Sequence, residues 1–212
     1  MYNASAKPKA DPAELLKEAA VRLFAERGMD GVSVRQIAEA AGQKNHAAVV
    51  YHFGSKEALA RAVIAHGAKL IDAARNQLLD DLESKGGPET IEEVVEVLLR
   101  SAILEGPPPW SDCYNRFIVI LQYSNRPLFM DALEGRWESG YQKCLAHIRR
   151  LRPQVAKSAM NRRLVLLGVA LGGIVAAREG EIADTSRKHR TWRSEAMMND
   201  IVTATARIVD GD

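Results

Sequence analysis

The sequence predicts an all-α protein, and three observations support this fold class. Apolar residues recur at helical spacing in almost every segment, alternating strand patterns are absent, and glycine- or proline-rich breaks separate the segments. The 212 residues, 47% hydrophobic and 26% charged, suit a globular chain that buries a core without disulfides. The two cysteines form no CxxC pair, so neither a disulfide framework nor a zinc module is indicated, and we expect a cytoplasmic protein.

The N-terminal part predicts a flexible tail followed by short helices. Residues 1–10 are polar and lack the apolar run of a signal peptide. Asp11 is placed to cap the first helix, and Gly28 ends it by allowing a left-handed residue. Ser33, with Gln36 three residues later, is the pattern of a capping box that opens a second helix.

A third short helix is predicted over residues 45–53, after a tight turn around Gly42. Two short helices joined by such a turn are the layout of a helix-turn-helix, in which the second helix enters the major groove of DNA. No acidic residue occurs between residues 40 and 56, where DNA phosphates would repel a carboxylate. The sequence therefore predicts a helix-turn-helix DNA-binding domain over residues 11–57.

Side chains of this segment have the chemistry to contact base edges and phosphates. Gln43 and Asn45 suit adenine edges, and Lys44 suits guanine. Tyr51 and Lys56 suit phosphates, the lysine beside a helix N-terminus. The alternatives are a core position for the tyrosine and a solvated surface charge for each lysine. We predict DNA contacts at Ser33, Arg35, Gln43, Lys44, Asn45, His46, Ala47, Ala48, Tyr51, His52 and Lys56.

Three motifs follow one another in this region: residues 23–28 (LFAERG), 33–42 (SVRQIAEAAG) and 51–59 (YHFGSKEAL). Together they resemble the tetracycline-repressor (TetR) family, over roughly the first quarter of the chain. In the family's commoner pattern fewer residues separate the Ala-Gly turn from the tyrosine, so here the third helix is expected to start later or run longer. The resemblance implies a homodimer on a pseudo-palindromic operator in double-stranded DNA, usually acting as a repressor.

The remainder, residues 58–212, is predicted to be a helical ligand-binding and dimerisation domain, as the resemblance implies. A long fourth helix is expected from residue 55 to about residue 83. Five more helices are predicted, over residues 89–105, 110–123, 128–151, 155–182 and 193–209.

Two of these helices are predicted to form the homodimer interface. The helix over residues 155–182 holds an apolar run, residues 164–177, with small residues at near-helical spacing. With residues 193–209 and the symmetry mate it would build a four-helix bundle. The alternative is that both helices are intrachain core. The apolar run is shorter than the ~20 residues of a transmembrane helix, so we predict no membrane span.

Aromatic residues cluster between residues 110 and 141, and ligand pockets are lined by such residues with a few polar groups. Each of them also fits a plain core position. Cys144 and His147 share one helical face, which is half of a metal site, but no second pair accompanies them. We therefore predict no metal and no cofactor. The predicted ligand-binding residues are Arg116, Phe117, Leu121, Gln122, Trp137, Tyr141 and Arg178.

The sequence thus predicts a DNA-binding transcriptional regulator whose operator affinity falls when a small-molecule effector shifts the long fourth helix. One alternative is a helical regulator controlled by a protein partner, without a small-molecule effector. Another is a helical ligand-binding protein or enzyme without DNA function. No nucleophile elbow, phosphate-binding glycine loop or HExxH motif is present, so we expect no enzyme and no catalytic residue.

Overall fold

The computed structural model describes residues 11–104, 106 and 109–211. The predicted tail, residues 1–10, lies outside the described residues. Within them the chain forms ten α-helices, one 3-10 turn at Thr191–Arg193, and no β-strand, which confirms the predicted fold class. The helices are α1 (Pro12–Arg27), α2 (Val34–Ala40), α3 (Ala48–Phe53), α4 (Lys56–Glu83), α5 (Ile91–Ala102), α6 (Trp110–Ser124), α7 (Arg126–Leu133), α8 (Ser139–Leu151), α9 (Lys157–Ala183) and α10 (Glu195–Asp210).

The first two helices begin and end where the sequence supplies caps. Asp11 Oδ1 accepts a hydrogen bond from the Ala13 backbone N–H at the start of α1. Gly28 ends that helix with a positive φ of 69°, a conformation that costs glycine little. Ser33 and Gln36 form the capping box of α2. These predictions are confirmed.

The third helix starts later than residue 45. Asn45 Oδ1 accepts a hydrogen bond from the Ala47 N–H at 2.9 Å, and the Asn45 carbonyl accepts one from the Ala48 N–H at 3.0 Å. Residue 45 therefore closes a turn instead of starting a helix, because its side chain bonds the backbone two residues on. The longer spacing before the tyrosine lengthens the turn and not the helix.

The prediction of one helix over residues 128–151 is wrong, because the chain forms α7 and α8, separated by residues 134–138. Glu134 and Trp137 have φ values of +47° and +58°. Left-handed residues interrupt a right-handed helix, and here they redirect the chain. Gly135 is the one break signal in the sequence at this point, and an isolated glycine is a weak one.

The remaining predicted helices match α5, α6, α9 and α10 to within a few residues. The largest difference concerns residues 89–105. There α5 starts at Ile91 because Thr90 and Glu93 form a capping box, and it ends at Ala102. Residue 105 lies outside the described residues.

Two apolar cores lie along the molecule, and α6 contributes to the first while packing against the second. The first core joins residues 11–57, called the head here, to α6, α7 and the start of α4. The second core joins α5, α8, α9, α10 and the rest of α4. Phe117 of α6 packs on Phe24 of α1 with ring centroids 5.3 Å apart, and α6 also packs along α9. Because the head shares its core with the body that follows, the boundary at residue 58 stays a prediction.

A glycine in α4 allows α6 to approach closely. The ring of Tyr114 lies against Gly67, where a Cβ atom would overlap the ring. The Tyr114 hydroxyl donates a hydrogen bond to the Ile64 carbonyl at 2.8 Å, and burial raises its pKa. The two helices are therefore held in one register at this crossing.

One face of α9 packs in the second core, and its opposite face is apolar but exposed. Val165, Leu166 and Val169 have exposed fractions of 66%, 59% and 59%. On α10, Ile201 is buried within the chain, whereas Ala204 is exposed. By its length and composition α9 is long and apolar enough to cross a membrane, which is equally true of many core helices of soluble proteins.

Candidate nucleic-acid interface and ligand cavity

The segment from α2 to α3 presents a polar and aromatic surface to solvent. The inner face of α3 is buried at Ala48 and Val49, which anchor the helix on the head. The outer face carries Val50 and Tyr51, 54% and 82% exposed, followed by the exposed His52. A short helix fixed on one side and free on the other has the geometry that a major groove of about 12 Å admits.

The turn before α3 uses some of the predicted base-reading side chains for its own structure. Gln43 is half-buried, and its Nε2 donates a hydrogen bond to the Ala41 carbonyl at 3.3 Å. Asn45 gives its side-chain oxygen to the turn and keeps its amide hydrogens free to donate. Lys44, His46 and Ala47 are exposed. The last three therefore have the freest access to a bound duplex.

The structure corrects the predicted DNA contacts at two residues, Ala48 and Lys56, because of what surrounds them. Ala48 is only 6% exposed and faces the head, so its methyl group cannot touch a thymine. The Lys56 ammonium donates hydrogen bonds to the carbonyl oxygens of Met29 and Val32, both at 2.9 Å. This lysine ties the α1–α2 connection to the start of α4, so its charge is engaged inside the head.

An acidic side chain approaches the interface although the sequence around α3 has none. Glu39 of α2 accepts a hydrogen bond from Arg35 Nε at 2.8 Å, and this bond lowers the pKa of Glu39. The same carboxylate lies 4.0 Å from His46 Nδ1. The folded surface thus places a carboxylate between two predicted DNA contacts, which a window of consecutive residues could not reveal. Ser33, also a predicted contact, is exposed, but its hydroxyl is hydrogen-bonded to Gln36.

Val50 was missed by sequence reasoning. Its position three residues after Ala47 and next to Tyr51 places it on the exposed side of α3, which helical spacing alone could have indicated. The Tyr51 ring meets His52 edge-on, with centroids 4.9 Å apart.

A cavity of about 170 Å³ lies in the body between α4, α5, α6, α8 and α9. Its wall is apolar apart from three polar side chains, Arg75, Asn115 and Tyr141. Asn115 is already engaged, because its Nδ2 donates to the Ala102 carbonyl and to the buried carboxylate of Glu179. The apolar wall consists of Ile71, Leu98, Ala102, Leu145, Leu167, Gly168, Leu171, Gly172 and Val175.

Of the predicted ligand-binding residues, Tyr141 lines this cavity. Phe117 and Leu121 do not: each is 1% exposed and lies in the first core, so their predicted place at the cavity is corrected. Trp137 lies in the α7–α8 connection at the surface, with Lys69 Nζ 5.7 Å from its ring centroid. It is corrected in the same way. Gln122 is half-buried on α6, outside the cavity wall.

The two predicted arginine anchors also lie away from the cavity. Arg178 donates its Nε hydrogen bond to the Trp192 carbonyl at 3.1 Å. Arg116 Nη2 reaches Cys113 Sγ at 3.5 Å, and its buried Nε has no hydrogen-bond partner among the described residues. Both arginines therefore belong to helix packing around α6 and α9.

Arg75 is the cavity residue that sequence reasoning missed. Only 9% of it is exposed, its Nε donates to Ser101 Oγ at 2.9 Å, and its guanidinium lies 5.7 Å from the Tyr141 ring centroid. Burial lowers its pKa. A signal existed in the sequence: Arg75 stands four residues after Ile71 and four before Leu79, on the apolar stripe of α4.

Cys144 and His147 lie three positions apart on α8. Within residues 11–104, 106 and 109–211 no group of three or more His, Cys, Asp or Glu side chains converges. His147 Nε2 lies 2.9 Å from a Glu83 carboxylate oxygen, and burial raises the pKa of the Cys144 thiol to about 11. The thiol is therefore protonated at neutral pH, which does not suit metal binding.

Comparison with known proteins finds similarity in both sequence and fold. A family model described as "Bacterial regulatory proteins, tetR family" matches residues 16–63, from α1 to the first turns of α4. The chain is also similar to the HTH-type transcriptional repressor Rv3405c of Mycobacterium tuberculosis, with 33% identity over 138 residues. This alignment covers 64% of the chain and 66% of the relative, slightly less than two thirds of the relative's length.

Solved structures extend the similarity over nearly the whole chain. A TetR family transcription regulator from Marinobacter aquaeolei VT8 has a TM-score of 0.62 and 17% identity, covering 93% of this chain and 94% of that one. AibR, in complex with isovaleryl coenzyme A and operator DNA, has a TM-score of 0.56 and 17% identity, covering 94% and 98%. At such identities the likeness concerns the fold.

Proposed function

We propose that this chain is a member of the TetR family of bacterial regulatory proteins, and that it is a transcriptional repressor released from a pseudo-palindromic operator by a small molecule. The observation that carries the proposal is the exposed outer face of α3 and its preceding turn, with Lys44, His46 and Tyr51 in solvent. This face packs against no other part of residues 11–104, 106 and 109–211. It offers the donors and the aromatic ring that a DNA groove and its phosphates accept.

We propose that different residues of this surface contact bases and phosphates. Lys44, His46 and Ala47 face base edges, and Asn45 adds its amide donors. Other residues face phosphates or flank them; these are Ser33, Arg35, Tyr51 and His52. Gln43 and Lys56 support the turn and the head from inside, as their hydrogen bonds to backbone carbonyls indicate.

A homodimer accounts for the exposed apolar face of α9. Val165, Leu166 and Val169 form a patch that a soluble monomer rarely leaves open. We propose that a second copy covers it, with α10 alongside, as an isologous interface that sets two heads about 34 Å apart, one DNA turn. The two charged residues Arg162 and Arg163 in the second turn of α9 suit a protein interface with a polar rim better than a bilayer.

Ligand and DNA are coupled, in this proposal, through two helices. Both α4 and α6 line the cavity, at Arg75 and Asn115. The start of α4 lies in the first core, and α6 supports the head through Phe117 against Phe24. A ligand that prefers one arrangement of these helices shifts the population of head positions by its difference in affinity for the two states. AibR, solved with both isovaleryl coenzyme A and operator DNA, is a precedent for a protein of this fold that binds a ligand and DNA.

The test is DNA binding by fluorescence anisotropy, with duplex from the region upstream of the gene as probe. Tyr51→Ala has a matched control in Tyr123→Ala, since the two tyrosines are 82% and 81% exposed on different helices. Lys44→Ala has its control in Lys157→Ala, an exposed lysine at the start of α9. We expect each head variant to lose about tenfold in affinity and each control to bind like the wild type.

The same assay separates the alternatives. Equal binding by wild type, head variants and controls contradicts the regulator proposal and favours a helical ligand-binding protein without DNA function. Specific DNA binding that no small molecule weakens favours control by a protein partner. We propose the cytoplasm as the location and expect no catalytic activity, because the family consists of regulators that act on DNA.

A further inference from the structure

The cavity in the body contains one guanidinium group that the protein leaves partly unpartnered. Arg75 is buried, and the chain satisfies its Nε through Ser101. In the part of the chain that the structure describes, no oxygen accepts a hydrogen bond from its Nη1 or Nη2, and no carboxylate lies within 4.0 Å of them. These terminal nitrogens keep accessible surface, since Arg116 Nε is the one fully buried side-chain polar atom found there without a partner.

The nearby acid favours the charge of this arginine from a distance, but among the described residues it makes no ion pair or hydrogen bond with it. Asp72, one turn earlier on α4, accepts hydrogen bonds from Ser139 Oγ at 2.9 Å and from the Gly140 N–H at 2.8 Å. Glu179 is likewise engaged with Asn115. The described cavity wall includes no Asp or Glu. A buried charge without a counter-ion in direct contact is costly, and an arginine cannot escape the cost by losing its proton.

The rest of the wall suits an apolar body attached to an anionic head. Leu98, Leu167, Leu171 and Val175 line the cavity. The Tyr141 hydroxyl, which has no hydrogen-bond partner among the residues described, is a second donor, on a ring whose centroid lies 5.7 Å from the guanidinium. The planar fork of an arginine matches the two oxygens of a carboxylate, which it binds with two parallel hydrogen bonds.

We propose that the effector is a small monocarboxylate with a compact apolar body, whose carboxylate binds Arg75 and Tyr141. The proposal rests on the regulator function and names the ligand class of its cavity. A dry cavity of ~150 Å³ can hold a benzene ring, so the volume of about 170 Å³ suits a ring or a branched chain with one carboxylate. Coenzyme A thioesters are too large to enter it whole.

The experiment measures binding to the full-length protein without DNA, by calorimetry and thermal shift. Benzoate, phenylacetate and 3-methylbutanoate are compared with their amides, which keep the shape and lose the charge. We expect at least one carboxylate to bind at least tenfold more tightly than its amide. Sulfate and phosphate are run alongside, and stabilisation by these ions alone, as for any simple anion, overturns the proposal.

Variants locate the binding. Arg75→Met is expected to weaken carboxylate binding at least 30-fold, and Tyr141→Phe several-fold, whereas the exposed control Arg149→Met leaves it unchanged. Because Arg75→Met keeps an apolar chain as long as the stem of the arginine up to Nε and removes a buried charge, the ligand-free variant should melt at the same temperature or higher. A lower melting temperature with unchanged carboxylate affinity makes Arg75 a structural residue and overturns the proposal.

A parallel anisotropy titration with upstream duplex keeps the two hypotheses apart. Arg75→Met is expected to bind DNA like the wild type but to stay bound when the carboxylate is added. Carboxylate binding by a protein without DNA affinity refutes the regulator function and leaves the ligand class standing. DNA binding by a protein that prefers no carboxylate over its amide refutes the ligand class alone.

Discussion

Replacing Lys56 by methionine distinguishes two roles for this residue. The sequence predicts a phosphate contact, whereas the structure shows its ammonium donating to the carbonyl oxygens of Met29 and Val32. Methionine keeps most of the length of the side chain and removes the charge. If the ammonium ties the α1–α2 connection to α4, the variant has a lower free energy of unfolding, whereas the folded variant keeps its affinity for DNA.

The size of the effect follows from the two hydrogen bonds. Bonds that involve a charged group contribute about 1.5–3 kcal/mol each, and water replaces part of this because Lys56 is half-buried. We therefore expect the free energy of unfolding to fall by about 2–3 kcal/mol per subunit. For a chain of this length this lowers the melting temperature by about 4–12 °C.

The assay pairs thermal unfolding, at one fixed protein concentration, with the salt dependence of DNA binding. Lys44→Met is the matched variant, because this lysine is exposed. For Lys56→Met we expect reduced stability and an unchanged salt slope. For Lys44→Met we expect unchanged stability and a slope smaller by up to ~1.8 per dimer, about 0.9 for each lost charge contact. Unaltered melting of Lys56→Met together with a flatter slope would refute the reasoning.

Three further predictions follow from other parts of the molecule. Gly67→Ala should destabilise the protein by about 1–3 kcal/mol, measured by chemical denaturation, because the new methyl group overlaps Tyr114. Glu39→Gln should raise DNA affinity about threefold in anisotropy, since it removes a carboxylate from the interface and frees Arg35. Burial, aided by a nearby lysine, lowers the pKa of His66. The unfolded chain therefore takes up the proton first, and the free energy of unfolding should decrease as the pH falls below about 6.5.

Each of these has a control on the same molecule. Gly180→Ala meets only ordinary contact, with Arg116, and should raise stability by about 0.5–1 kcal/mol; destabilisation as large as at Gly67 would contradict the overlap argument. Glu26→Gln removes an exposed carboxylate of α1, and an equal gain there would show a general charge effect. His66→Phe keeps an aromatic ring on Trp110, stacked at 4.2 Å, and should flatten the pH dependence. If the stability of His66→Phe still decreases with falling pH as in the wild type, a group other than His66 is responsible for the pH dependence.

The head was predictable in detail because its signals are local. Capping at Asp11 and Ser33 and the end at Gly28 depend on residues within a few positions of each other. The start of α3 was less predictable, because an asparagine such as Asn45 can begin a helix or close a turn. The hydrogen bond between its side chain and the Ala47 N–H forms the turn here.

The cavity was not predictable for a physical reason. Spacing shows that Phe117 has a buried face, but not whether that face meets the head or the cavity, because both lie around α6. Arg75 is enclosed by residues of α5, α6, α8 and α9, which lie far from it in the sequence. The approach of Glu39 to His46 likewise arises from the angle between α2 and the following turn, and a sequence pattern does not specify this angle.

The placement of α6 has a consequence for how this chain can diversify. Asn115 lies at the cavity and Phe117 at the head, two positions apart and hence about 200° around the same helix. A substitution that moves α6 to accommodate a new ligand also moves the surface on which the head packs. Selection therefore acts on ligand binding and on DNA binding at the same time. The cavity wall from α8 belongs to the second core and has no such link to the head. In proteins descended from this chain, substitutions that change ligand specificity should accumulate there, while the sequence of α6 changes little.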